Sequence, residues 1–207
     1  NTLRIQECQP SNVLALFDFD GTITSKDSFL EFLRYCFGDF RTGLGLIVMS
    51  PIIFGYLLKI IPNYVAKQKL FSYFFRGMPE VVFNELGKAF SDTQLHKMLR
   101  PGAMARIEWH KKERHRVVIV SASIESWLAS WCEFNGFDLI GTIVQVKEGA
   151  LSGKFQTPNC YGEEKVKRLK NVFKPCDYRF KYAYGDSQGD SELLELAENS
   201  YYKPFRH

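Results

Sequence analysis

Two aspartates placed two residues apart, Asp18 and Asp20, are the side chains in this sequence best suited to chemistry. They follow the apolar stretch 13–17, which predicts a buried parallel strand ended by a polar, glycine-containing turn. Open α/β sheets bind ligands at the carboxyl ends of their strands, so both acids are expected at a binding edge. Two neighbouring carboxylates repel each other, and Mg²⁺ relieves that repulsion because it prefers oxygen ligands. The same residues also suit an ordinary strand-to-loop turn, where Asp and Gly are common.

Polar groups also follow two further strand candidates and open one helix. Ser121 comes directly after the apolar run 116–120, and Lys165 opens a helical pattern. Asp186 and Asp190 follow a third apolar segment. Because each group lies at the end of a regular element, turn chemistry alone is a poor explanation for the whole set. The chain therefore favours a catalytic site over a series of ordinary turns.

In chain order, the motifs D-x-D-G-T, S, K and G-D-x-x-x-D resemble the four signature motifs of the haloacid dehalogenase superfamily of aspartate-nucleophile phosphatases. The Asp-Gly-Thr sequence and a helical insertion after it are similar to the phosphoserine phosphatase-like branch, subfamily IB. The resemblance implies a phosphomonoester hydrolase in which Asp18 attacks phosphorus and forms an aspartyl-phosphate intermediate. It implies that Asp20 protonates the leaving oxygen and then takes a proton from the hydrolytic water.

The resemblance also implies contacts to the phosphoryl group. The Ser121 hydroxyl and the Lys165 ammonium are expected to bind its oxygens. The backbone amides of Phe19 and Gly21 are available as further donors. Ser123 stays open as the alternative to Ser121, although it equally suits the cap of the following helix.

Mg²⁺ is the expected cofactor. Its implied ligands are the carboxylates of Asp18 and Asp186 and the backbone carbonyl oxygen of Asp20. Asp190 is expected as a further metal residue, acting through water or through a neighbouring ligand. Asp190 equally suits a helix N-terminus, where an acid interacts favourably with the helix dipole.

Alternating strand and helix candidates predict an α/β fold with a doubly wound parallel sheet. The expected strands are 12–17, 116–120 and 179–184, and the expected helices are 103–114, 124–135, 163–173 and 188–198. A β-hairpin is predicted over 142–155. Apolar residues at helical spacing, from Trp127 to Phe134, are expected to pack on the sheet. The resemblance implies that residues 1–24 and 101–207 form a Rossmann-like core.

Residues 25–100 show no clear strand and match the helical C1-type cap that the resemblance implies. The expected cap helices are 27–37, a long stretch over 40–61, 63–76 and 79–98. The run 44–61 carries one charge and is long enough to span a membrane. Ser50-Pro51 instead favours two cap helices broken at that point. The same apolar surface suits peripheral membrane contact or a lipid-like substrate.

Two positions in the cap indicate which substrate the protein accepts. Phosphoserine phosphatases hold their substrate with a cap acid and a cap arginine. Asp27 occupies the acid position, whereas Phe71 occupies the arginine position and Arg76 is the nearest arginine. Asp27 and Arg76 are therefore the candidate cap contacts, and the displaced arginine argues against phosphoserine.

A second resemblance, to the type C phosphatidylglycerophosphatases, rests on the apolar early cap and on the segments 159–166 and 185–190. It implies a lipid-headgroup phosphate such as phosphatidylglycerophosphate as the substrate. Phosphoserine or another small phosphorylated metabolite is the alternative. A membrane-associated protein that binds a phosphate ligand without turnover is the non-enzymatic alternative. It is disfavoured because every residue that the resemblance assigns to the chemistry is present.

Composition narrows the partners and the compartment. The net charge of +4 suits an anionic small substrate or an acidic membrane surface and falls short of a nucleic-acid footprint. The five dispersed cysteines contain no C-x-x-C pair, which indicates reduced thiols and therefore a cytoplasmic protein. The apolar cap adds the inner membrane surface as a second expected location. The histidines and cysteines show no zinc-ligand spacing.

Overall fold

Five parallel strands form the main sheet of the computed structural model, which describes residues 12–206. In spatial order they are β3 (Asp138–Thr142), β2 (Arg116–Ile124), β1 (Val13–Phe17), β6 (Phe180–Gly185) and β7 (Asn199–Tyr202). The strand order reverses at β1, so the loops after β1, β2 and β6 meet at one crevice. The predicted doubly wound parallel sheet is confirmed.

Helices cover both faces of this sheet. One face carries α5 (Pro101–Lys112) and α6 (Ala129–Asn135), and the other carries α7 (Glu163–Val172) and α8 (Ser191–Glu195). Alternate residues of β1 serve the two cores, because successive side chains of a strand point to opposite faces. Ala15 and Phe17 enter the larger core, and Leu14 and Leu16 enter the smaller one. Burial on both faces fixes the position of the strand and of the loop that follows it.

The inserted segment folds into four helices. They are α1 (Ser28–Val48), α2 (Ser50–Leu57), α3 (Asn63–Phe75) and α4 (Glu80–Thr93). A cluster of buried phenylalanines joins three of them, with ring centroids 5.2 to 5.9 Å apart. Its members are Phe32, Phe71, Phe75, Phe83 and Phe90. The predicted helical cap is confirmed as part of the fold.

The insertion leaves and returns to the sheet at one place. The Ser25 amide donates to the Met98 carbonyl at 2.8 Å, and the Arg100 amide donates to the Ile23 carbonyl at 2.8 Å. The hairpin of β4 (Val144–Lys147) and β5 (Ala150–Phe155) follows β3 in the chain but packs against the cap. Residues 1–11 and 207 lie outside the described residues, so the domain limits stay a prediction.

The apolar run of the cap is broken as predicted, because α1 ends at Val48 and α2 begins at Ser50 with Pro51 in its first turn. Within residues 12–206, no single helix is long and apolar enough to cross a membrane. The pair α1 and α2 meets the criterion together but bends by 65°. The first cap helix was predicted to end at residue 37, whereas α1 continues past a kink at Gly38, whose φ is 73°.

Several element limits differ from the predictions. Strand β2 runs to Ile124 instead of residue 120, because Ile124 pairs with Thr142 across an irregular register. The predicted helix 124–135 therefore begins only at Ala129, and Phe134 is 90% exposed instead of packed on the sheet. Helix α4 ends at Thr93, before the predicted residue 98. The edge strands β3 and β7 were not predicted, since their short segments lack a continuous apolar run.

The described cysteines carry free thiols, in agreement with the prediction of reduced cysteines. They are Cys36, Cys132, Cys160 and Cys176. Cys8 lies outside the described residues.

Candidate active site

Asp18 follows β1 and lies at the bottom of the crevice, where it is 6% exposed. Its amide donates to the Tyr184 carbonyl at 2.9 Å, which joins the ends of β1 and β6. Thr22 donates its hydroxyl to Asp18 Oδ2 at 3.1 Å. The backbone and one carboxylate oxygen are therefore held in place, and Oδ1 contacts Lys165.

Lys165 lies between two acids in the first turn of α7. Its Nζ is 2.6 Å from Asp18 Oδ1 and 2.6 Å from Asp190 Oδ1, and the side chain is fully buried. Burial alone lowers the pKa of Lys165, but the charges of Asp18 and Asp190 outweigh it and raise the pKa above its usual value. Burial likewise raises the pKa of Asp190, yet Lys165 outweighs burial and lowers it. Both groups are charged at neutral pH.

Asp190 also holds the loop after β6. Its Oδ2 accepts from the amides of Asp186 and Ser187 at 3.1 and 2.9 Å and from the Ser187 hydroxyl at 2.9 Å. The helix N-terminal reading of Asp190 is supported, because one of its oxygens caps the helical turn that begins at Gln188, while the other contacts Lys165. Its place in a metal site stays a prediction.

The carboxylates of Asp18, Asp186 and Asp190 form an acidic cluster, with ligand oxygens within 4.8 Å of one another. Gly21 lies against it, since a Cβ on this residue would be 2.5 Å from Asp186 Oδ2. Arg206 also contacts Asp186. Burial raises the pKa of Asp18 to about 7, despite the opposing charge of Lys165. Additional positive charge beside Asp18 would favour its ionised form, and three hard oxygen donors close to one another fit Mg²⁺.

The carboxylate of Asp20 points away from this cluster and towards the cap. Asp20 Oδ1 accepts from the Ser28 amide at 2.8 Å, and Oδ2 accepts from the hydroxyls of Ser28 and Ser123. Burial raises the pKa of Asp20 to about 6, and Asp27 adds to this effect. A carboxyl group with such a pKa gives and accepts a proton near neutral pH.

Ser121 and Ser123 take different positions on β2. Ser121 lines the cavity, and its Oγ accepts from the Ser123 amide at 3.0 Å. Ser123 is fully buried and donates to Asp20, so it does not cap the next helix as the alternative reading had it. The phosphate-binding role of Ser121 stays a prediction, and the structure adds Ser123 as a partner of Asp20.

The two predicted backbone donors are less accessible. The Gly21 amide donates to Thr24 Oγ1 at 3.2 Å, and the Phe19 side chain is buried against Trp131. Neither Phe19 nor Gly21 lines the cavity. A phosphate contact from Gly21 requires this bond to open, so both roles remain predictions.

The cap residues Asp27 and Arg76 are not brought together. Asp27 lies at the rim of the cavity and caps α1 by accepting from the Leu30 amide at 2.8 Å. Arg76 is exposed at the end of α3 and does not line the cavity. Phe71, at the position of the expected arginine, is part of the buried phenylalanine cluster. A substrate clamp formed by Asp27 with Arg76 is therefore not supported by this arrangement.

A cavity of about 620 Å³ opens between the core and the cap above these groups. Its floor holds the acids, Ser121 and Lys165, and its walls are mostly apolar side chains of the cap. The apolar cap side chains that line the cavity are Phe29, Leu30, Leu33, Leu46, Ile53, Tyr56, Ala66 and Leu70. Sequence reasoning missed Lys67, which lines the same cavity from α3 and donates to the Ala122 carbonyl at 2.8 Å. Lys67 shares one helix face with Asn63 and Leu70, and this spacing is the sequence signal that could have indicated it.

Comparison with known proteins agrees with this fold. The family model of the haloacid dehalogenase-like hydrolases matches residues 15–195, and the chain belongs to this family. The chain is 34% identical over 196 residues to Protein CicA of Caulobacter vibrioides, covering 94% of this chain and 87% of the relative.

Two solved structures show the same architecture. A protein of unknown function from Bordetella pertussis superposes with a TM-score of 0.79 at 20% identity, covering 92% of this chain and 89% of the other. A phospho-aspartyl intermediate analogue of phosphoserine phosphatase superposes with a TM-score of 0.65 at 20% identity, covering 90% and 84%. The fold is thus that of the phosphoserine phosphatase-like branch, as the sequence motifs predicted.

Proposed function

We propose that this hydrolase removes phosphate from a phosphomonoester in a Mg²⁺-dependent reaction through an aspartyl-phosphate on Asp18. The observation that carries the proposal is the grouping of Asp18, Lys165, Asp186 and Asp190 around one end of the cavity. Asp18, Asp186 and Asp190 would hold the metal, together with the Asp20 carbonyl oxygen. Bound Mg²⁺ supplies positive charge that neutralises the phosphoryl oxygens and favours the ionised form of Asp18.

Two displacements at phosphorus complete the reaction. Asp18 Oδ forms a bond to phosphorus while the bond to the leaving oxygen breaks, and Asp20 gives its proton to that oxygen. Water then attacks phosphorus, Asp20 takes its proton, and the bond between Asp18 and phosphorus breaks to release inorganic phosphate. Lys165 stays charged throughout and binds the phosphoryl oxygens beside the nucleophile.

Hydrolysis of p-nitrophenyl phosphate tests this function. We expect turnover that depends on Mg²⁺ and that is lost on chelation with EDTA and in the Asp18→Asn variant. Asn keeps the shape of the side chain but loses its negative charge and nucleophilicity. Full activity of Asp18→Asn at saturating Mg²⁺ would exclude the nucleophile assignment.

The substrate that best fits the cavity is amphiphilic, and we propose a lipid-linked phosphomonoester such as phosphatidylglycerophosphate. The walls above the acids are mainly aliphatic and aromatic, so they favour an apolar group. A free phosphoserine headgroup carries an amine and a carboxylate, and burying them without paired charges is costly. The expected clamp residue Arg76 does not line the cavity, so Asp27 and Lys67 are the charged cap residues left to contact a zwitterion.

A comparison of kcat/KM decides between the two substrates. We expect a lipid phosphomonoester in detergent micelles to exceed phosphoserine. A tenfold or greater preference for phosphoserine would contradict the lipid substrate.

The outer surface of the cap suits contact with an anionic membrane. Exposed apolar side chains cover the end of α1, α2 and the turn that follows. We name this set the apolar cap face: Phe40, Leu44, Ile47, Val48, Phe54, Leu57, Leu58 and Ile60. Residues 40–79 contain no acid and, apart from the cavity residue Lys67, four basic residues. Leu46, Ile53 and Tyr56 of the same segment line the cavity, so a bilayer against this face lies beside the cavity mouth.

Sedimentation with vesicles tests this contact. We expect binding to vesicles of phosphatidylglycerol and phosphatidylcholine, weakened by salt and by the double variant Phe54→Glu/Leu57→Glu. Phe134→Glu is the matched control, because Phe134 is an even more exposed apolar side chain but lies on α6. Equal loss of binding in the control, or binding that the double variant leaves unchanged, would contradict this surface.

A further inference from the structure

Lys67 is a cation of the cavity that the proposed reaction does not use. Its Nζ donates one hydrogen bond to the Ala122 carbonyl and lies 5.8 Å from the centre of the Phe29 ring. Among residues 12–206, no carboxylate lies within 4.0 Å of this nitrogen. An ammonium has three donors, so Lys67 keeps donor capacity for a ligand in the cavity.

Three of the acids at the floor are already paired with a cation. Lys165 is shared by Asp18 and Asp190, and Asp186 contacts Arg206. Burial lowers the pKa of Lys67, although Asp20, Asp27 and Asp18 oppose this. A half-buried ammonium that lacks an ion pair is stabilised when an anion binds beside it.

The position of Lys67 relates it to the leaving group. Ala122 lies between Ser121 and Ser123, and Ser123 is bonded to Asp20. The charge of Lys67 interacts more strongly with Asp20 and Asp27 than with the nucleophile. Because Asp20 is the proposed donor of the proton to the leaving oxygen, Lys67 lies on the side of the alcohol that departs.

We propose that Lys67 forms a subsite for a second anionic group, a carboxylate or phosphodiester, carried by the leaving group of the substrate. The proposal rests on the proposed phosphomonoesterase function. The apolar side chains of the cavity include Phe29, whose ring centre is 5.8 Å from Lys67 Nζ, and Leu70, which lies on the same helix as Lys67. The substrate class is therefore a phosphomonoester with one further negative charge close to the phosphate and an apolar part beyond it.

Binding to the Asp18→Asn variant tests the subsite without turnover. Calorimetry with Mg²⁺ present compares 3-phosphoglycerate with glycerol 3-phosphate, which differ by a carboxylate in place of a hydroxymethyl group. A charge-assisted hydrogen bond predicts about tenfold or greater preference for 3-phosphoglycerate. Adding Lys67→Met should reduce this ratio to about one, and Lys67→Arg should keep most of it. Lys69→Met is the matched control, because Lys69 is an exposed lysine on the same helix and does not line the cavity.

Other outcomes contradict the subsite. An equal loss of affinity for both ligands in Lys67→Met assigns Lys67 to the transferred phosphoryl group or to cap docking. If the ratio of the two affinities is unchanged in Lys67→Met, Lys67 does not bind a second anionic group. Lys67→Gln repeats the test if thermal melting shows that Lys67→Met is unfolded.

Two further measurements distinguish a carboxylate from a phosphodiester as the second anion, and distinguish failure of the subsite from failure of the proposed phosphatase function. Short-chain phosphatidylglycerol phosphate presents a phosphodiester, and short-chain lysophosphatidate presents only the phosphomonoester. The same Lys67-dependent ratio for this pair identifies a phosphodiester as an accepted second anion. Loss of the proposed function would appear as absent turnover in the unsubstituted protein, whereas the binding ratio in Asp18→Asn still decides the subsite.

Discussion

The ammonium of Lys165 lies 2.6 Å from Asp190 Oδ1, and this contact joins the start of α7 to the loop after β6. The other oxygen of Asp190 accepts from Asp186 and Ser187, so one carboxylate positions both the lysine and the loop that carries an expected metal ligand. A substitution at Asp190 should therefore change stability and activity together.

We expect Asp190→Asn to lower the free energy of unfolding by about 1–3 kcal/mol, because an amide cannot accept from Lys165 and from the loop amides at the same time. Phosphatase activity should fall at least tenfold. Urea unfolding and p-nitrophenyl phosphate hydrolysis measure the two effects. Asp92→Asn is the control, since Asp92 pairs with Lys88 at the surface, and such pairs contribute little. Equal destabilisation by both variants would refute the positioning role.

We expect Asp20→Asn to reduce kcat by about 10²–10⁴-fold, since the variant loses its general acid and base. Mg²⁺ binding should persist, because the proposed ligand at this residue is the backbone carbonyl. Calorimetric titration with Mg²⁺ checks this point. Loss of metal binding together with activity would show that the Asp20 carboxylate is itself a ligand.

Gly21→Ala should weaken Mg²⁺ binding at least tenfold, because the added Cβ would lie 2.5 Å from Asp186 Oδ2. The φ of 83° at Gly21 adds backbone strain. Gly136→Ala separates the two causes, since Gly136 has a φ of 71° and open space around its Cα. The control should lose stability and keep metal affinity. If both variants bind Mg²⁺ normally, the acidic cluster is not the metal site.

Acid should destabilise the fold through His110, which is fully buried between His115 and the Tyr184 hydroxyl. Burial, with the nearby charges of His115 and Arg106, lowers the pKa of His110 to about 3. The unfolded chain takes up this proton near pH 6.5 and the native protein does not. Stability is therefore unaffected above that pH and is lost progressively as the pH falls towards 3.

At pH 5 the loss from this residue is about 2 kcal/mol relative to pH 7.5. His110→Gln should remove that part of the pH dependence, as measured by urea unfolding at the two pH values. The exposed His96→Gln should keep the full dependence of the unsubstituted protein. An identical pH dependence in His110→Gln would show that another group governs the acid transition.

The sequence alone identified the three central strands of the sheet, β2, β1 and β6, and the residues at the floor of the cavity. Strand β1 is a continuous apolar run, and a strand buried on both faces is recognisable by that pattern. Asp18, Asp186 and Lys165 were recognised because they lie at the ends of strands or helices. A parallel sheet brings such ends together at one edge. Pro51 likewise marked the break between α1 and α2, because proline removes a helix donor.

The tertiary structure determined which cap residues cover the site and which groups the site residues contact. Lys67 lies 49 positions after Asp18 in the chain and reaches the site only because the cap folds back over the crevice. Arg76 lies outside the cavity, although Asp27 lines its rim. Local patterns determine strands, turns and the ends of elements, whereas the packing of the phenylalanine cluster sets which faces of α1, α3 and α4 turn inward. Which helix face is buried depends on contacts between segments far apart in the chain. The spacing of residues along the chain does not predict those contacts.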